Sequence, residues 1–126
     1  MAEIEAPQSV RSWFLEAVRF DIDTLVISLS TTTGRAVEVV FAPPREFRCF
    51  AESDAWQYLR DFNGREIVGC SDRGCGIVVS ETSPYLRDYQ VRVRLQDPET
   101  TFAYLIKTPQ ECVEVISFED PEVRWL

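Results

Sequence analysis

The sequence predicts an α+β domain dominated by antiparallel β-sheet, a sandwich or partly open barrel, with one helix packed on it. Three observations lead there. Apolar and polar residues alternate at period 2 over several short runs, the mark of sheet with one face buried and one wet. Turn residues punctuate those runs at short intervals. One stretch near the middle changes to helical spacing.

Residues 1–9 are expected to form a flexible arm and residues 10–126 a single globular domain. Ser12–Phe20 and Thr24–Leu29 read as strands around the turn Asp21-Ile22-Asp23, with Leu25, Ile27 and Leu29 on one face. Arg35–Phe41 follows a Thr/Gly loop and aligns Val37, Val39 and Phe41. Pro43-Pro44 ends that run because neither proline donates to a ladder. Glu46–Phe50 is a further short strand. Ser53 is a suitable N-cap, and Ala55, Trp56, Leu59 and Phe62 form a helical stripe, so Asp54–Phe62 is expected to be a helix with Trp56 in the core. Ile67–Cys70 and Ile77–Ser80 suit a hairpin, and Ser83–Asp88 a helical turn with proline at its start. Tyr89–Gln96, Phe102–Lys107 and Cys112–Phe118 are expected to close the chain as a three-stranded meander, with Val91, Val93, Leu95, Val113 and Val115 buried.

Composition narrows the function classes. The chain of 126 residues carries a net charge of −8, which opposes nonspecific binding to nucleic acid. It favours solubility and rapid encounter with a basic partner. No apolar stretch reaches the length of a membrane helix. The acidic start lacks the basic and apolar regions of a signal peptide, so the expected compartment is the cytoplasm. There is no histidine, so neither a Ser-His-Asp nor a Cys-His nucleophile is available within the chain. No pair of carboxylates is singled out by spacing. No catalytic residue, metal ligand or cofactor is therefore assigned.

Cys49, Cys70, Cys75 and Cys112 lack the two close pairs of a structural zinc site and are expected to be reduced thiols. The glycine-rich segment 69–76 matches no phosphate-binding frame, but it presents Asp72 and Arg73 as candidate contacts. On the helix, Tyr58 and Asp61 fall off the apolar stripe and are candidates for an exposed contact. The densest acidic segment holds Glu111, Glu114, Glu119, Asp120 and Glu122, where strand-end and loop carboxylates are expected to steer a basic partner.

The runs Tyr104-Leu105-Ile106-Lys107-Thr108, Cys112-Val113-Glu114-Val115-Ile116 and Asp120-Pro121-Glu122-Val123 resemble a closing pattern of small uncharacterised bacterial proteins. Some of those resemble immunity proteins of toxin systems. The pattern carries a histidine before the tyrosine, where this chain has Ala103. The resemblance implies a cytoplasmic binding protein without catalytic residues, and it transfers no individual binding residue. The expected function is thus a non-catalytic acidic protein-binding module, of the toxin-neutralising immunity type. The alternative is a small-molecule-binding β-barrel or cup lined by some of the fifteen aromatic side chains, eight Phe, four Tyr and three Trp.

Overall fold

Alternating apolar residues build two antiparallel sheets that bury their facing sides against each other. The computed structural model describes residues 11–70, 74–94 and 101–126. Strands β1 (Trp13–Asp21), β2 (Thr24–Thr31), β3 (Ala36–Phe41) and β9 (Glu122–Trp125) form the first sheet in the order β1-β2-β3-β9. Strands β4 (Glu46–Ala51), β5 (Arg65–Gly69), β6 (Gly76–Ser80), β7 (Phe102–Lys107) and β8 (Glu111–Ser117) form the second in the order β4-β8-β7-β6-β5. A 3-10 turn over Glu52–Asp54 leads to helix α1 (Trp56–Asp61), and helix α2 (Pro84–Val93) joins β6 to β7. The architecture is the α+β sheet sandwich that the alternation predicts.

One continuous core lies between the sheets. The first sheet contributes Leu25, Ile27, Leu29, Val37, Val39 and Phe41; the second contributes Ile67, Ile77, Tyr104, Ile106, Val113 and Val115. Burying each such aliphatic side chain is worth about 1.5–3 kcal/mol. Trp13 crosses the interface: its indole Nε1 donates to the Lys107 carbonyl at 2.7 Å, and its ring stacks with Trp125 at 6.2 Å. Phe41 meets Tyr104 edge-on at 5.4 Å. These four rings pack in the core between the sheets.

The outer face of the second sheet is also covered, so β8 is buried on both sides. Leu86 and Tyr89 of α2 pack on Ala103 and Ile116, with Phe62 and Tyr85 alongside. Ser83 caps α2 by accepting from the Leu86 N–H at 3.0 Å, and Pro84 occupies the first turn, where its missing donor is harmless.

Three expectations are corrected here. Residues 89–93 are helical, not a strand, so β7 has β6 and not residues 89–96 as its second neighbour, with Val78 opposite Leu105. Val91 is 77% exposed and Val93 44%, whereas Val113 and Val115 are buried as expected. The helix prevails because Leu86 and Tyr89 reach the sheet only at helical spacing, and because Arg92 bonds both Asp88 at 2.7 Å and Glu46 at 2.6 Å. Leu95 and Gln96 lie outside the described residues. Second, Trp56 is 61% exposed, and Tyr58 and Phe62 face the sheet in its place. Ser53 sits in the 3-10 turn, and α1 starts from Ala55 without a side-chain cap. Third, Cys70 and Cys75 form a disulfide, while Cys49 and Cys112 are free thiols. Pairing of Gly69 with Gly76 brings the two cysteine Cα atoms to 5.6 Å, inside the usual disulfide range. Gly76 has φ +136°, and a Cβ there would lie 2.6 Å from the Val68 carbonyl oxygen, so the hairpin requires glycine at that point.

The β1–β2 hairpin turns through Ile22 and Asp23, with Asp21 paired to Thr24. Ile22 holds φ +51° and is 93% exposed, so a β-branched residue occupies a left-handed conformation with no burial to offset its strain. Ile22→Gly is expected to stabilise the fold by about 1 kcal/mol, read as a higher urea midpoint at unchanged slope. A lower midpoint would show that the turn is not strained.

Candidate functional site

A carboxylate on the outer face of the second sheet organises the two helices. Glu114 lies opposite Arg48 of β4 and Leu105 of β7 in strand register. Its side chain is 0% exposed. A buried carboxylate is tolerated only when it is paired and hydrogen-bonded, and Glu114 is supplied from three elements. Arg48 donates to Oε1 from Nε at 3.2 Å and Nη2 at 2.9 Å. The Tyr58 hydroxyl of α1 reaches Oε1 at 2.7 Å and Oε2 at 2.9 Å. Ser83 donates to Oε2 at 2.9 Å while its oxygen caps α2. One side chain therefore ties β4, α1 and the start of α2 to β8.

Above this clasp lies an open groove of about 630 Å³ between α1 and α2. Arg48, Phe50, Tyr58 and Tyr85 line it, and Trp56, Asp54 and Asp88 stand along it. The Arg48 guanidinium carbon sits 4.5 Å from the Tyr85 ring centroid, 4.9 Å from Tyr58 and 5.1 Å from Phe50, within cation–π range. Arg60 covers the Trp56 ring at 5.2 Å.

The electrostatics follow from burial and from Glu114. Burial opposes the Arg48 charge, but the hydrogen bond and attraction of Glu114 overcome it and raise the guanidinium pKa. Burial pushes the Tyr58 hydroxyl up to about 12, and the carboxylate it donates to pushes in the same direction. Tyr85 is raised by burial and by the neighbouring Glu46 carboxylate. All three groups keep one protonation state across the neutral range.

The Tyr58 shift has a consequence for stability. Its unfolded pKa is about 10. The neutral phenol is thus favoured by folding; that contribution is complete below pH about 10 and lost as pH rises towards about 12. Glu114→Gln is expected to lower the Tyr58 midpoint part of the way to 10, because burial remains. Ultraviolet absorbance of phenolate against pH measures this, and an unchanged midpoint would show that Glu114 does not act on Tyr58.

The sequence-designated contacts divide. Tyr58 and Glu114 come together in the clasp, but neither is a free surface group: Tyr58 is half-buried, and Glu114 does not project into solvent at a strand end. Asp61 is exposed and pairs with Arg60 at 3.1 Å. Glu111 and Glu119 are exposed. Asp120 accepts the Tyr104 hydroxyl at 2.7 Å, and Glu122 pairs with Arg124 at 3.1 Å, so part of the acidic segment is engaged within the fold. Asp72 and Arg73 lie outside the described residues. Arg48, Trp56 and Tyr85 of the groove and Ser83 of the clasp escaped the sequence reading as site residues. One signal for the clasp was available: a lone glutamate inside the apolar run Cys112–Ile116 and a lone arginine inside Phe47–Phe50. Among the described residues no group of His, Cys, Asp and Glu is placed to hold a metal ion, and no helix is long and apolar enough to cross a membrane.

Comparison with protein-family models, with curated proteins and with solved structures gave no significant match to this chain.

Proposed function

We propose that this protein is a non-catalytic acidic binding module that docks a basic protein partner in the α1–α2 groove, as an immunity protein neutralising a toxin would. The observation that carries the reading is the side-chain chemistry of that groove. An exposed tryptophan, two half-buried tyrosines and an arginine converge there, and these residue types dominate the energetics of protein interfaces. Arg48 and Tyr58 are held by a buried hydrogen-bonded clasp, so those two lose little freedom on binding. The net charge of −8 favours a partner of opposite sign and speeds encounter.

The test uses the immobilised chain as bait in lysate at low salt, with wild type and Trp56→Ala in parallel. A basic protein retained by wild type and lost from Trp56→Ala supports the reading; identical retention overturns it. The alternative, a small-molecule binder, draws support from the groove volume of about 630 Å³, which lies in the range of ligand pockets. Its signature is a rise in thermal midpoint with a small-molecule library in the absence of any protein.

A further inference from the structure

We propose that the groove receives an arginine side chain of the partner, stacked on Trp56 and paired with Asp54; this rests on the reading of the groove as a docking surface. Arg48 is matched by Glu114, and Asp88 shares Arg92 with Glu46. Asp54 lines the same groove, and among the described residues it has no hydrogen-bond or ion-pair partner. The uncompensated charge of the groove is therefore negative, and among the described groove residues Asp54 is the carboxylate without a partner. It attracts a cation and opposes an acidic or phosphorylated ligand.

Trp56 is 61% exposed and presents a large ring to solvent. The rings of this region already accept guanidinium groups, Arg48 over Tyr85 at 4.5 Å and Arg60 over Trp56 at 5.2 Å. A planar guanidinium stacks on an aromatic face and forms a forked pair with a carboxylate in one pose, which a compact ammonium does not reproduce. Arginine is accordingly preferred to lysine.

The probes are three capped tripeptides, Gly-Arg-Gly, Gly-Lys-Gly and Gly-Glu-Gly, titrated into the ¹⁵N-labelled chain. The Arg peptide is expected to shift the Trp56 indole and Asp54 amide resonances saturably, the Lys peptide more weakly, and the Glu peptide not at all. Asp54→Asn should weaken the Arg peptide about five- to tenfold, the loss of one charged partner. Trp56→Ala should abolish saturation. Both residues are exposed, so both variants keep the fold. No saturable shift, equal shifts from the Arg and Glu peptides, or undiminished binding by Asp54→Asn overturns the arginine site. If the bait experiment then still depends on Trp56, docking stands and the arginine pairing falls. If the Arg peptide binds as described and no partner depends on Trp56, the arginine site stands and protein docking falls.

Discussion

Arg48→Met is expected to destabilise the protein by about 3–4 kcal/mol, the range for stripping one member from a buried ion pair. The asymmetry of the pair sets the order of effects. Glu114 is 0% exposed and Arg48 41% exposed. Without Arg48, the carboxylate stays buried with only the Tyr58 and Ser83 hydroxyls as donors. Without Glu114, Arg48 regains water. Glu114→Gln, which keeps one carbonyl acceptor, should therefore cost less, about 1–2 kcal/mol. Arg48→Met combined with Glu114→Leu should be more stable than Arg48→Met alone, because no uncompensated charge remains in the layer. Urea unfolding of wild type, Arg48→Met, Glu114→Leu and the double variant forms a double-mutant cycle. Equal stability of Arg48→Met and wild type would mean that Glu114 is hydrated in solution.

Trp13→Ala is the second large effect, expected at about 3–5 kcal/mol, as for a fully buried aromatic side chain. Trp13 fills the gap between β1 and β7, stacks on Trp125 and satisfies the Lys107 carbonyl. Trp56→Ala should change stability by less than about 0.5 kcal/mol, since its ring faces solvent. Val93→Asp is also expected to be mild, because Val93 lies on the exposed side of α2. Matching denaturation midpoints for Trp13→Ala and Trp56→Ala would contradict the assignment of core and surface.

Most strands were legible because their faces differ. In β2 and β3, Leu25, Ile27, Leu29, Val37, Val39 and Phe41 alternate with residues facing outward, and period 2 is unmistakable there. Residues 89–93 misled because Gln90-Val91-Arg92-Val93 alternates without burying its valines. Their state is decided at a distance, by the Ser83 cap, by Leu86 and Tyr89 on Ile116, and by Arg92 on Glu46. β9 was hidden behind Asp120-Pro121, a stop signal, yet Val123 pairs with Val39 and Trp125 with Val37. The candidate site was legible only in fragments. Glu114 and Tyr58 were singled out separately, as solvent-facing groups, because no local pattern places a serine at an α2 cap, an arginine on β4 and a tyrosine on α1 around one carboxylate. That convergence comes from the strand order β4-β8-β7, which alternation does not encode.

On the proposed function, the groove and not the acidic C-terminal segment supplies the binding energy. Surface plasmon resonance with the retained basic partner tests it directly, comparing wild type, Trp56→Ala and the triple variant Glu119→Gln, Asp120→Asn, Glu122→Gln. Trp56→Ala should weaken Kd about thirtyfold, chiefly through faster dissociation, as for an interface anchor worth about 2 kcal/mol. The triple variant should slow association at low salt and leave dissociation nearly unchanged. Wild-type dissociation by Trp56→Ala, together with accelerated dissociation by the triple variant, would contradict docking in the groove and move the interface to the acidic segment.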